Sequence, residues 1–192
     1  MLAEQLRNIA SLTVLTTAGD ETLARAAALV QTAADALRAS TRSSRYDGVS
    51  GLAPASPAND AIWETHAAFG RSNPLAPPVE AEERPGHLTA RVTFGGAWEG
   101  GPGSVYGGFI AAVMDGMLGR AVISAGHLGV TRSLTIRYLR PTPLHTPLRV
   151  ESTSGDLVGR NVTVSGRMWA GDTLTCEAEA VFTCVDADRY RM

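Results

Sequence analysis

The sequence contains no lysine, and all 17 of its basic residues are arginine. The chain therefore has no residue for Schiff-base chemistry and no Walker-type lysine for a nucleotide phosphate. The formal net charge is −2, and the arginines form no basic cluster. A nucleic-acid-binding protein carries such a cluster as its electrostatic footprint. We therefore expect no nucleic acid among the partners of this protein.

Cysteine and histidine are also scarce, with two and four residues. Cys176 and Cys184 lie eight residues apart in one predicted strand, which separates them by about 26 Å, too far to pair with each other. No CxxC, HxH or HExxH pattern is present, and Ser104 lacks the GxSxG context of a serine hydrolase. The sequence predicts no metal site and no cofactor. Unpaired cysteines are typical of the reducing cytoplasm, which is the predicted location.

The first 60 residues differ in character from the rest of the chain. A weak helix is predicted over residues 2–15 and a stronger one behind Asp20, where apolar residues recur at helical spacing (Leu23, Ala27, Val30, Ala34, Leu37). Residues 40–60 are rich in Ser, Gly, Pro and Ala, as in a linker. We therefore predict an N-terminal helical arm and linker over residues 1–60 and one main domain over residues 61–192.

The main domain reads as one long helix followed by strands. A short helix over residues 61–69 and an extended Pro-rich connection, RSNPLAPPVE, precede the strand LTARVTF. After the helix, alternating apolar residues mark strands near 134–138, 148–150, 162–168 and 174–182, with turn signals at 141–143, 154–156 and 170–172. This order predicts an α+β fold in which an antiparallel meander of four strands wraps around the helix. The helix approaches membrane-spanning length, but Asp115 and Arg120 within it favour a core helix and no membrane span.

Asp115 is the unusual residue of that helix. Apolar side chains cover most of the helix circumference, so the helix is enclosed and Asp115 is at least partly buried. A buried carboxylate is costly unless it has a partner or a task. Periodicity alone leaves a structural role open, in which Asp115 bonds a nearby hydroxyl or lies on a narrow polar stripe.

Gly107 and Gly108 begin the same helix. The unpaired backbone N–H groups at a helix N-terminus favour an oxyanion, although a Gly-Gly pair also suits a tight turn. Gly108 and Asp115 are seven residues apart, or about 10 Å along the helix axis. Reacting groups must approach a carbonyl to about 3–3.5 Å, so one carbonyl cannot contact both the Gly108 amide and the Asp115 carboxylate of the same helix. If both groups serve one site, a second copy of the chain must supply its Asp115, which predicts a dimer.

Four segments carry a family resemblance. They are EGGPGSVYGGFIAAVMDGMLGRA, VTRSLTIRYLRPTPLHTPLRVES, GRNVTVSGRMW and CEAEAVF. In this order, over about residues 86–186, the chain resembles the hotdog-fold acyl-CoA thioesterases of the PaaI type. The resemblance implies a single hotdog fold, here with an N-terminal helical extension, and an acyl-CoA substrate hydrolysed to free acid and CoA. It also implies a homodimer or a dimer of dimers.

The resemblance assigns roles to residues of the central helix. The usual His-Gly-Gly motif, whose glycine amides polarise the thioester carbonyl, falls on Tyr106, Gly107 and Gly108. The catalytic acid falls on Asp115 of the partner subunit, as general base or as nucleophile. Tyr106 departs from the pattern, because a tyrosine hydroxyl donates a hydrogen bond but does not titrate near neutral pH. A packing role for Tyr106 is the alternative.

Further roles fall on residues outside the helix. A threonine that helps to hold the attacking water is expected at Thr131, seven residues before the tyrosine of a Tyr-x-x-Pro motif. Arg132, Arg140 and Arg160 are predicted to contact the phosphates of CoA, with a solvated surface position as the alternative for each.

Two other functions compete with hydrolysis. Tyr106 in place of histidine is compatible with a protein that binds acyl-CoA without cleaving it. A hotdog hydratase is disfavoured, because Gly119 and Arg120 stand where a histidine would be needed.

Overall fold

The computed structural model describes residues 2–48 and 57–186 of the chain. Its helices and strands follow one another in the order α1, α2, α3, β1, β2, α4, β3, β4, β5 and β6. The helices are α1 (Leu2–Leu15), α2 (Asp20–Arg38), α3 (Pro57–Glu64) and α4 (Gly107–Ser124), with a short 3-10 helix at Gly96–Trp98. The strands are β1 (Val79–Arg84), β2 (His87–Val92), β3 (Gly129–Tyr138), β4 (Leu148–Val158), β5 (Asn161–Ala170) and β6 (Thr173–Cys184).

Helix α4 is the centre of the core, as predicted. Its length and apolar composition would allow it to cross a membrane, but here it packs against the sheet. The strands alternate buried and exposed residues, most regularly in β2 and β5, so that one sheet face is apolar and meets the helix. The helix is apolar on most sides because the sheet curves around it. Its buried residues are Ile110, Val113, Met114, Gly116, Met117, Leu118, Ala121 and Val122.

The sheet is six-stranded and antiparallel, in the order β1-β2-β4-β5-β6-β3. The four strands predicted after α4 are all present, but the expected meander of four contains only β4, β5 and β6. Strand β3 pairs with β6 at the edge, and β4 pairs with β2. The connection between β3 and β4 holds three prolines and is tied to the start of α4, where Val105 N–H donates to the Thr142 carbonyl at 2.9 Å. This connection carries the chain across the sheet instead of closing a hairpin.

Three local predictions are corrected by the structure. The turn signal at residues 154–156 is an irregularity inside β4, and the chain reverses at Gly159, whose φ is +62°. The Pro-rich connection ends in an additional strand, β1, which is an edge strand with mostly exposed residues and so lacks a clear alternation. Helix α3 ends at Glu64 rather than at Phe69, because the chain turns to stack His66 on Phe69 at 4.0 Å between ring centroids.

The two N-terminal helices lie where the sequence predicts them. Helix α1 packs against the main domain, where the Arg7 guanidinium donates to the Asn73 carbonyl at 3.1 Å. Helix α2 has no buried residue. Residues 49–56 of the predicted linker lie outside the described residues, and the boundary between residues 60 and 61 stays a prediction.

Candidate active site

Asp115 and Thr131 are joined by a hydrogen bond. Asp115 lies in the third turn of α4 and is partly buried, and the Thr131 hydroxyl donates to its Oδ1 at 2.8 Å. The two residues come from α4 and β3, 16 positions apart in sequence. Periodicity allowed such a hydroxyl partner as a structural feature, whereas the family resemblance assigned both residues to one site. The contact is common to both interpretations.

A bulge in β3 explains why Thr131 reaches the helix. The pairing with β6 shifts between Thr131 and Ser133, which leaves Arg132 as an extra residue. Thr135 and Arg137 line a groove on the outer face of the sheet, and an unbroken alternation would turn Thr131 to that face as well. Because a bulge adds one residue and reverses the alternation, Thr131 faces α4 instead. The bulge therefore positions the hydroxyl at Asp115.

The start of α4 presents two backbone donors. Tyr106 is the N-cap residue with extended backbone, and Gly107 and Gly108 occupy the first turn. Within residues 2–48 and 57–186, the Gly107 and Gly108 N–H groups donate to no protein acceptor. The first N–H groups of a helix lack intrahelical partners, and the positive end of the helix dipole lies at the same place. The two amides can therefore bind a carbonyl oxygen that gains negative charge.

Tyr138 holds this first turn in place. Its hydroxyl donates to the Gly107 carbonyl at 2.8 Å, and a Cβ on Gly107 would lie 3.2 Å from the Tyr138 ring. Partial desolvation, followed by the nearby Cys176 and Tyr106, raises the pKa of the Tyr138 phenol, so the hydroxyl stays protonated and able to donate. The sequence did not predict a role for Tyr138, the tyrosine of the Tyr-x-x-Pro motif, in the site. The Tyr-x-x-Pro motif was the one feature of the sequence that could have drawn attention to this residue.

Tyr106 lies at the surface beside the glycines. Its side chain is 58% exposed, and its ring contacts Phe109 edge-on at 6.0 Å between centroids. A Cβ on Gly108 would lie 2.6 Å from the Tyr106 ring, so glycine at position 108 lets the tyrosine lie against the helix start. The tyrosine therefore has a packing contact here, and its role in binding stays a prediction.

Asp115 and the two glycine amides are separated along one helix. The axial distance of about 10 Å between positions 108 and 115 follows from the regular α-helix that the structure contains. One chain thus brings Thr131 to Asp115 but leaves the Gly107 and Gly108 amides beyond the reach of the same carbonyl.

The three predicted CoA-binding arginines lie at different ends of the sheet. Arg140 lies two residues after the end of β3, and Arg132 is the bulge residue near the start of that strand. Arg160 lies in the turn between β4 and β5, where its guanidinium donates to the Cys184 carbonyl at 3.4 Å. Cys184 pairs with Gly129, so Arg160 is near the first residue of β3. Within one chain, Arg140 and Arg160 are therefore roughly 30 Å apart, too far to bind one phosphate together.

No metal-binding cluster is found among the described parts of the chain, 2–48 and 57–186. Cys176 and Cys184 are unpaired, as predicted. Burial raises the pKa of the Cys176 thiol to about 11, so this buried thiol is protonated and unreactive at neutral pH.

Part of the chain matches a known protein family. Residues 102–177, which include α4 and β3–β5, match the family model of the thioesterase superfamily. Acyl-coenzyme A thioesterase THEM4 of Mus musculus is 37% identical over 93 residues, which is 47% of this chain and 40% of the mouse protein. The chain thus spans about two fifths of the length of the curated relatives it matches.

Two solved structures extend the comparison. The structure of protein RHA08564, a thioesterase superfamily protein, aligns with a TM-score of 0.80 at 27% identity and covers 95% of this chain and 88% of that one. Because this alignment covers 95% of the chain, it includes most of the two N-terminal helices. A hypothetical thioesterase from Streptococcus pneumoniae TIGR4, solved with coenzyme A, aligns with a TM-score of 0.54 at 22% identity over 56% of this chain and 89% of that one, which shows a shared fold. Residues 102–177 therefore match the thioesterase superfamily and lie within a hotdog fold, which the two N-terminal helices α1 and α2 precede.

Proposed function

We propose that this protein is an acyl-CoA thioesterase that works as a dimer, with each site built from both chains. The observation that carries the proposal is the hydrogen bond from Thr131 to Asp115 on a helix that begins with two free glycine amides. The hydroxyl and the carboxylate together can hold a water molecule, and the amides can hold a thioester carbonyl. The family and the CoA-bound fold neighbour support acyl-CoA as the substrate class.

The reaction divides between two protomers. The Gly107 and Gly108 amides of one protomer hold the thioester oxygen. Asp115 of the other protomer removes a proton from a water molecule oriented by Thr131, as the water oxygen bonds to the carbonyl carbon. The tetrahedral oxyanion then collapses, the C–S bond breaks, and the CoA sulfur leaves with a proton. Direct attack by Asp115 would instead form an acyl anhydride that water later cleaves.

The surface around the site supports a partner chain. Strand β3 is the last strand of the sheet and pairs on one side only with β6, so its other edge is open to a further strand. Large exposed apolar residues lie on β3, just after it and at the start of α4: Tyr106, Phe109, Val130, Tyr138 and Leu139. Large exposed apolar residues beside an open sheet edge support a contact with a second chain there. A dimer across β3 would place two copies of α4 side by side.

A panel of acyl-CoA thioesters, assayed by release of the CoA thiol, tests the proposal. We expect turnover with at least one acyl group and a loss of at least about a thousandfold in Asp115→Ala, since the general base or nucleophile is removed. Asp172→Ala changes an exposed carboxylate in the turn between β5 and β6 and is the matched control, with turnover unchanged. Full turnover in Asp115→Ala would remove this residue from the mechanism.

Binding of acyl-CoA without hydrolysis is the second candidate function, and exposed Tyr106 favours it. A tyrosine that packs on Phe109 does not supply the titratable group that the family histidine would. Measurable acyl-CoA affinity with no thiol release across the panel would support this function. Turnover gained by Tyr106→His would then show that the site lacks only the histidine.

Two finer features belong to the same proposal. Arg132, Arg140 and Arg160 would contact CoA phosphates, with Arg140 and Arg160 serving different phosphates or different protomers. The two unpaired cysteines support a cytoplasmic location.

A further inference from the structure

Helix α2 is an amphipathic helix without a partner in the described chain. It has 19 residues, and none of them is buried. Three of its large apolar residues are well exposed, namely Leu23 at 42%, Val30 at 41% and Leu37 at 50%. An isolated helix of this length is marginal in water, because most helix stability in proteins comes from packing of the apolar face. A partner for this face is therefore needed.

The spacing of the apolar residues specifies the shape of that partner. Leu23, Ala27, Val30, Ala34 and Leu37, here called the α2 seam, are separated by four, three, four and three residues. Alternation of four and three is the heptad pattern by which one helix packs lengthwise on another. A sheet face or a flat surface does not require this regularity. The seam therefore fits a second helix that lies along α2.

The order of residues in the seam is the same in both directions. It reads Leu-Ala-Val-Ala-Leu, with Val30 at the centre and an alanine on either side. When two such helices run antiparallel about a two-fold axis at Val30, Val30 meets Val30, Leu23 meets Leu37 and Ala27 meets Ala34 of the other copy. The alanine layers allow a close approach of the two helices. One patch that is complementary to itself is what a two-fold symmetric interface requires.

The charges at the helix ends favour the antiparallel direction. The first turn carries Asp20 and Glu21, and the last turn carries Arg38. Antiparallel pairing brings the acidic turn of one helix near the arginine of the other and opposes the two helix dipoles. Parallel pairing would bring the two acidic first turns together and would place the Arg38 side chains, each of which also contacts Asp35 of its own helix, side by side. We propose that α2 pairs antiparallel with α2 of a second copy of this chain, along the α2 seam.

Cysteine cross-linking in the full-length protein tests this pairing. Cys184 is replaced by alanine first, because it is partly exposed, while buried Cys176 is kept. Val30→Cys, at the centre of the seam, is then expected to give a covalent dimer with a short bis-maleimide. Leu29→Cys is the matched control, because Leu29 is an adjacent, more exposed residue outside the seam, and it is expected to stay monomeric on a denaturing gel.

The ends of the seam report the direction. In an antiparallel pair, the two copies of position 23 lie about 20 Å apart along the axis, whereas positions 23 and 37 of different copies are close. Leu23→Cys and Leu37→Cys are therefore expected not to cross-link alone, and the double variant is expected to cross-link. Self-linking of either single variant would contradict the antiparallel direction.

Two results would overturn the pairing itself. These are absence of cross-linking in Val30→Cys, and equal cross-linking of Val30→Cys and Leu29→Cys. An unchanged melting temperature shows that each variant is folded, since the seam does not contribute to the core. The test is independent of the proposed function, because no residue of the seam belongs to the proposed active site.

Discussion

Replacing Thr131 by valine removes one hydrogen bond from the proposed site and little else. Valine has nearly the shape of threonine, and Thr131 is exposed, so the strand and the core keep their packing. The lost bond is the 2.8 Å contact from the hydroxyl to Asp115 Oδ1. A hydrogen bond to a charged group contributes about 1.5–3 kcal/mol. If this bond supports the transition state, kcat/KM falls about tenfold to a hundredfold.

The kinetic pattern identifies what the hydroxyl does. Thr131 contacts the catalytic acid and not CoA in our proposal, so kcat is expected to fall while KM stays nearly constant. Thr131→Ser keeps the hydroxyl and is expected to retain most of the turnover. Thr135→Val is the matched control, because Thr135 is on the same strand but faces the outer groove. The assay measures release of the CoA thiol at saturating and at low substrate concentration.

A specific result would refute this reasoning. If Thr131→Val and Thr135→Val both keep full kcat and KM, the bond to Asp115 is structural, as the periodicity of the helix alone allowed. If Thr131→Val raises KM and leaves kcat unchanged, the hydroxyl contributes to substrate binding and not to orientation of the water.

Two further predictions concern stability. Burial, followed by the positive charges of Arg45 and Arg120, lowers the pKa of His66 from 6.5 to about 4. Between these two pH values, His66 is protonated in the unfolded chain but neutral in the folded protein. The free energy of unfolding is therefore at its full value above pH 6.5 and falls by about 2 kcal/mol as the pH is lowered to 4.5. Urea unfolding of His66→Phe should show a smaller fall over this pH range. An equal fall in the variant would contradict the assignment to His66. In Gly116→Ala, the added Cβ would overlap the buried Phe69 ring. We expect this variant to lose about 1–2 kcal/mol of unfolding free energy, while Gly119→Ala, with its nearest contact at 3.3 Å, should lose less; equal losses would contradict the packing argument.

The parts of the fold that depend on a local pattern were predictable from the sequence. Helix α4 and strands β2 to β6 each carry an apolar periodicity, and α1 and α2 were found in the same way. Strand β1 was missed because an exposed edge strand needs no alternation. The order of the strands was also missed, since the pairing of β3 with β6 depends on where the connection at residues 139–147 crosses the sheet.

The candidate site shows the same division. Asp115 stood out because a carboxylate in an apolar helix needs a reason. Its contact with Thr131 depends on a bulge at Arg132, which no turn residue marks in the sequence. The support of Gly107 by Tyr138 joins residues 31 positions apart and has no periodic signal. Long-range contacts of this kind are set by the way the sheet packs on α4.

Complementation between two inactive variants tests the central claim, that each site uses two chains. One variant is Asp115→Ala, and the other lacks a glycine amide, as Gly107→Pro or Gly108→Pro, whichever is inactive. After the chains are mixed and exchanged, half of the dimers are mixed and each contains one intact site, so turnover should return to about a quarter of the unmodified level. Mixed dimers that form and remain inactive would contradict a site shared between two chains.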